Sequence, residues 1–219
     1  MSRPAARKAA PKGEYIETDS GNKVSRRATI TGTAHITLGG RTVIQAEVQL
    51  RGDLHPTRPL PQSSAGSSRP DVPPTSISIG RCTVISTGCV IKPPSRVSRG
   101  AVHYYPMKVG DNVFIGPGTT ISAISISSHV HVGANVVIQA FAIIKENVKI
   151  LPNTVVPAHM VIPSGSVVAG RPARVVGEVG EGWGVSAGGA GAGGLGTASG
   201  AGTGWVEGGD LRELVRAIK

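Results

Sequence analysis

Six histidines and two cysteines are the side chains of this 219-residue sequence best suited to acid–base, nucleophilic or metal chemistry. A general base needs an imidazole within reach of the proton it removes. His103 is the candidate for that role, because it stands in an irregular segment beside Tyr104, Tyr105 and Met107. His129 and His131 flank Val130, while His35, His55 and His159 have no evident partner in the sequence. Cys82 and Cys89 lack the spacing of a metal motif and are too few for a disulfide framework. They fit a reducing, intracellular compartment. No nucleophile elbow, phosphate-binding loop or dinucleotide fingerprint is present.

Composition limits what could position such groups. Aromatic residues make up 3% of the chain, against 31 glycines and 16 prolines. A core of Val and Ile in small, regularly turned units suits these proportions. The formal charge is +10, but Arg3, Arg7, Lys8, Lys12, Lys23, Arg26 and Arg27 crowd the beginning. Between Val109 and Gly170 the only full charges are Asp111, Lys145, Glu146 and Lys149, which cancel. No basic stripe interleaved with aromatics appears, so nucleic-acid binding is not expected. The first residues lack the apolar run of a secretory signal, and no segment approaches the roughly 18 apolar residues that span a bilayer. A soluble chain without membrane insertion is expected.

The positioning element is a repeat. Ile126, Val132, Ile138, Ile144, Ile150, Val156, Ile162 and Val168 recur at an unbroken spacing of six. The same period appears earlier as Leu38, Ile44, Leu50, then Ile79, Ile85, Ile91, then Val109, Ile115, Ile121, and the step from Ile121 to Ile126 is one short. Four residues after each aliphatic comes a modest side chain, as at Thr42, Thr83, Cys89, Thr119, Val136 and Ala142. Gly follows the aliphatic at Gly39, Gly80, Gly110, Gly116 and Gly133. This is the hexapeptide repeat, and a period of six fits neither a helix nor an ordinary strand. Three hexads close one triangular coil, and stacked coils form an internal column of every sixth aliphatic. The expectation is an all-β, left-handed parallel β-helix over residues 14–178, the hand coming from the repeat family. Its glycines are expected to serve the bends.

Two segments break the period. Residues 54–75 are rich in Pro and Ser and read as a disordered insertion. Residues 93–108 form a second loop carrying His103, Tyr104, Tyr105 and Met107, and loops on repeat proteins often build the binding face. Residues 1–13 read as a basic disordered tail, and 179–209 as a flexible Gly-rich linker. Residues 210–219 read as a short amphipathic helix with Leu211, Leu214, Val215 and Ile218 on one face. Asp210 and Glu213 resemble a capping box. That helix is expected to dock on the solenoid's side or on a partner.

Hexapeptide-repeat folds serve acyltransferases and γ-class carbonic anhydrases. The coils at Leu50-Arg51-Gly52-Asp53, Ile79–Lys92 and Val109–Ser122 resemble the second group. By that resemblance its zinc-binding histidines fall at Lys92, Pro117 and Ser122, which cannot replace three imidazoles around zinc. No metal and no cofactor is therefore expected. Acyl transfer would rest on His103 as general base, with the rest of the constellation missing.

A closer likeness covers residues 14 to 178. The stretch Glu14-Tyr-Ile-Glu-Thr-Asp-Ser-Gly-Asn-Lys-Val-Ser-Arg26, with Leu50-Arg-Gly-Asp53, Val90-Ile-Lys-Pro-Pro94, Val109-Gly-Asp-Asn-Val-Phe-Ile115, His129-Val-His-Val-Gly133 and Ile150-Leu-Pro-Asn-Thr-Val155, resembles the dynactin subunit 5 family. The resemblance implies a cytoplasmic, cytoskeleton-associated and non-enzymatic subunit at the pointed end of dynactin. Implied partners are dynactin subunit 6, the pointed-end actin-related protein, the large zinc-bearing dynactin subunit and cargo adaptors. It also implies support of dynein-driven microtubule transport and early-endosome attachment. Candidate interface residues are His103, Tyr104, Tyr105 and Met107. The expected core is Ile79, Ile85, Ile91, Val109, Ile115, Ile121, Ile126, Val132, Ile138, Ile144, Ile150, Val156, Ile162 and Val168.

Overall fold

The computed structural model describes residues 13–55, 75–180, 183 and 209–218. The tail before 13, most of the 54–75 insertion and most of the Gly-rich linker lie outside the described residues. Each hexad contributes one short strand, and successive strands fall on three different sheets. The chain thus winds as a three-sided coil, a left-handed parallel β-helix.

The first sheet runs in parallel from Lys23–Ser25 through Val43–Ile44, Val84–Ile85, Phe114–Ile115, His131–Val132 and Lys149–Ile150 to Ser166–Ala169. The second runs from Thr29–Thr31 to Val155–Val156, and the third from Ile36–Leu38 to Val161–Ile162. Coil stacking places residues of equal repeat phase in register, for example Ile121 beside Ile138 and Ile138 beside Val156. All fourteen aliphatics of the expected core are at most 2% exposed. Alternation within each two-residue strand turns one side chain in and the other out. Burial of each Ile or Val contributes roughly 1.5–3 kcal/mol, summed along one dimension.

The small residues between the aliphatics complete the interior. Thr42, Thr83 and Thr119 are fully buried, and their hydroxyls donate to Gly80, Gly110 and Gly133 carbonyls of the next coil at 3.0–3.1 Å. No buried hydroxyl on this ladder is left without an acceptor, which would otherwise cost stability. The five-residue step between Ile121 and Ile126 falls at the turn from second to third sheet. Strands on both sides of it keep their register with the following coil.

The glycines act differently from expectation. None of Gly39, Gly80, Gly110, Gly116 and Gly133 has positive φ. A Cβ on Gly116 would instead lie 2.6 Å from the Gly133 backbone. Close approach between coils, and not the bend, requires these glycines. The bends use other positions, glycine at Gly88, Gly118 and Gly165 as expected, but also Arg41, Cys82, Asn112, His129 and Asn147, these five at φ between 54 and 59. Asn tolerates that region best among side-chain-bearing residues.

The two ends of the solenoid are treated unequally. Tyr15–Glu17 pairs antiparallel with Lys23–Ser25, and Arg174–Glu178 pairs antiparallel with Ser166–Ala169, so the first sheet is closed at both edges. At the last coil, Gly170 and Ala173 also bond the Val155 strand. At the first coil, Thr29–Thr31 and Ile36–Leu38 are the terminal strands of their sheets. Their inward side chains Ile30, Ile36 and Leu38 are only half-buried.

Candidate functional site

Residues 93–108 resolve into a β-hairpin and a core strand. Ser95–Ser98 pairs antiparallel with Ala101–Tyr104 around Arg99 and Gly100, both at positive φ. That is the geometry of a tight two-residue hairpin turn. Ser95, Val97, Val102 and Tyr104 share one face by alternation, and Arg96 stands opposite His103 on the other. The hairpin projects from the solenoid, with Val97 70% exposed.

Met107 corrects an expectation. It is 1% exposed and belongs to the strand Met107–Val109 of the third sheet. There it stacks beside Ile77, two residues before an inward aliphatic, so it packs the core and offers no contact surface. The other three candidates stay accessible: His103 and Tyr104 are half-buried, and Tyr105 is exposed with its ring edge on Phe141 at 5.3 Å. Phe141 in turn stacks on His159 at 5.1 Å, a short aromatic column along one corner.

Tyr104 and Ser95 wall a groove with Arg51, Lys92, Thr120, Ser122 and Gln139. Lys92 and Ser122 therefore meet, whereas Pro117 stands apart on an exposed corner. Among the described residues no imidazole or carboxylate lines the groove. Arg51 is held by a two-pronged ion pair with Asp53, both contacts at 2.9 Å. The Arg51 guanidinium, then the Thr31 hydroxyl donating at 2.6 Å, hold the Asp53 carboxyl well below the usual carboxylate range. The Arg-Gly-Asp segment is thus a local clamp between neighbouring coils. His103 lies on the hairpin face turned away from the groove and has no hydrogen-bond partner among the described residues. Nothing there orients it as a base. Among the described residues no three His, Cys, Asp or Glu side chains converge as metal ligands. Burial pushes the Cys89 thiol up, and Cys82 is half-buried at a corner.

A second site lies on the outer face of the first sheet, and the repeat gave one overlooked signal of it. Outward positions there read Val43, Val84 and Phe114, apolar where solvent-facing residues would be polar. The helix Arg212–Ala217 covers them. Leu211 and Val215 are 2% and 5% exposed against Val43 and Val84, with Tyr15, Phe114, Leu214 and Ile218 at the rim. Asn112 accepts from the Leu211 amide at 2.8 Å and donates to the Gly209 carbonyl at 3.3 Å. The Lys23 ammonium donates to the Val215 carbonyl at 3.1 Å and to that of Ile218. The expected capping box does not form. Asp210 accepts instead from Arg212, two residues on, because the helix begins too late for Glu213 to reciprocate. Beside the helix, Trp183 donates to the His129 carbonyl at 3.0 Å and sets its edge toward His131, which stacks on Phe114.

Comparison with solved structures bears on the fold alone. A variant of the N-acyltransferase AntD from Bacillus cereus, solved with dTDP and coenzyme A, aligns over 77% of this chain and 92% of its own, with TM-score 0.57 and 12% identity. A hexapeptide transferase family protein from Anaplasma phagocytophilum aligns over 73% and 80%, with TM-score 0.50 and 21% identity. In sequence, an uncharacterized protein of Dictyostelium discoideum is 26% identical over 167 residues, 76% of this chain and 65% of that one. The protein named Dynactin subunit 5 from the same organism is 38% identical over 117 residues, 53% of this chain and 49% of that protein. The chain thus spans about half the length of that relative. The family model for dynactin subunit 5 matches residues 69–184, more than half of the sequence. By that match the chain belongs to the dynactin subunit 5 family.

Proposed function

We propose that this chain is a non-catalytic scaffold subunit of dynactin, acting at the pointed end through its open first coil. One observation carries the reading. Among the described residues, two of the three sheets end at Thr29–Thr31 and Ile36–Leu38 with no strand beyond them, over half-buried Ile30, Ile36 and Leu38. Edge strands with free backbone groups template pairing with another chain. Another β-helix matches such an end in both strand spacing and triangular outline. Dynactin subunit 6 is the proposed occupant. The pointed-end actin-related protein, the large zinc-bearing subunit and cargo adaptors are proposed neighbours, with His103, Tyr104 and Tyr105 as accessible contact residues. In this reading the protein is cytoplasmic, cytoskeleton-associated, and serves dynein-driven transport and early-endosome attachment.

The alternative reading is acyl transfer with His103, accessible on the hairpin, as base. The test is affinity purification of tagged protein followed by mass spectrometry, zinc analysis and an acyl-CoA turnover assay. The scaffold reading expects pointed-end dynactin subunits in the eluate, weakened by Ile36→Lys, with no stoichiometric zinc. Absence of every dynactin component would overturn it. Turnover of acyl-CoA lost in His103→Ala would establish the second reading instead.

A further inference from the structure

The outer face of the first sheet is covered by the chain's own end, and the way it is held points beyond packing. We propose that the Val43–Val84–Phe114 strip is a docking surface for an amphipathic helix of a partner protein, with residues 209–218 as an in-chain cover that such a helix displaces. The cover itself shows what chemistry the strip accepts. It presents Leu211, Leu214, Val215 and Ile218 at i, i+3, i+4 and i+7, the pattern of helix-in-groove recognition.

The polar contacts are addressed to backbone. Asn112 grips the Leu211 amide and the Gly209 carbonyl, and Lys23 grips the carbonyls of Val215 and Ile218. A cation at a helix C-terminus complements the helix dipole, whatever the sequence of that helix. None of these four contacts reads a side chain of the cover. Any helix with the same apolar spacing can satisfy them.

The cover is also weakly held. Its regular helix has six residues, below the length at which a helix stands alone. Leu211 at its N-terminus has no capping side chain, and Asp210 and Asn112 hold one amide each there. Only Leu211 and Val215 are fully buried, against backbone ordering over ten residues. Residues 184–208 separate Trp183 from Gly209. Fully extended, such a length reaches on the order of 80–90 Å, so the cover can leave without disturbing the solenoid. Being part of the same chain, the cover competes with any partner helix as an intramolecular ligand. A partner helix must therefore make contacts beyond the strip, and the Trp183–His131 cleft and Tyr15 rim the place where they would form. The cover acts as a selectivity filter.

The experiment uses full-length protein and a fluorescein-labelled peptide of residues 208–219, with a scrambled peptide as control. Fluorescence anisotropy should show at least tenfold tighter peptide binding to Leu211→Asp/Val215→Asp than to wild type. Adding Phe114→Asp should abolish binding while the thermal melt of the solenoid is retained. Equal binding to wild type and double variant, no binding to the double variant, or binding indifferent to Phe114→Asp would each overturn the proposal. Hydrogen exchange of the wild type is independent of any variant's folding. Amides of 212–218 should exchange at least a hundredfold faster than those of Ile44 and Ile85. Protection equal to those strands would show a permanent part of the fold and overturn the proposal.

Discussion

Replacing Ile138 and its neighbour Val137 separately by Ala tests the register of the solenoid within one strand. Ile138 is 1% exposed and sits in the second-sheet column between Ile121 and Val156. Val137 precedes it, faces outward and is 37% exposed. Ile138→Ala removes three buried carbons at about 0.8 kcal/mol each, a transfer loss of about 2.4 kcal/mol. Coils above and below are fixed by backbone ladders and collapse little, so a cavity contribution brings the total to about 3–4 kcal/mol. At roughly 2–4 °C per kcal/mol for a chain of this size, Tm should fall by about 10 °C. Val137→Ala should cost less than about 1 kcal/mol. Chemical denaturation and calorimetry read both. Equal costs, or a larger cost at Val137, would refute the assignment of inward and outward faces. Ile138→Asp, which buries an unpaired charge, should prevent soluble folding.

Further outcomes follow from other parts of the structure. Gly116→Ala places a Cβ 2.6 Å from the Gly133 backbone and should destabilise by about 1–3 kcal/mol in urea denaturation; a neutral substitution would contradict the close approach. A disulfide reagent should label Cys82 in the native protein and Cys89 only after unfolding, because burial raises the Cys89 thiol and removes it from solvent; Cys82→Ser should therefore abolish native labelling. Asp53 is depressed by Arg51, so its contribution is present above the unfolded carboxylate value near 4 and is lost as pH falls below it. The pair is partly exposed, so the effect is small and screened by salt. Asp53→Asn should flatten the acid limb of the Tm–pH curve, and an unchanged limb would remove the clamp from the account.

The column of aliphatics was legible because a period of six with three-sided closure leaves little choice of what faces in. Met107 was misread from its surroundings in an irregular segment, although its place two residues before Val109 repeats Ile77 before Ile79 and Ile36 before Leu38. The glycines were assigned to bends because conformational freedom is a local property, whereas the contact of Gly116 with Gly133 depends on stacking between coils. The capping box failed for a related reason: it presumes a helix starting at Asp210, and docking through Leu211 and Val215 sets the start instead. Lys92 and Ser122 meeting in one groove, with Pro117 elsewhere, is a relation across coils that spacing alone does not show. The helix-covered strip was visible as Val43, Val84 and Phe114 in outward phase, but only a tertiary partner distant in sequence gives those residues their reason.

The proposed completion of the first coil by another β-helix places the contact at the two terminal strands of that coil. Electron cryomicroscopy of dynactin carrying this chain measures it directly. Density of a second β-helix should continue from Thr29–Thr31 and Ile36–Leu38, with Ile30 and Ile36 buried beneath it. A map in which those strands face solvent, or in which the chain is missing from the complex, would contradict it.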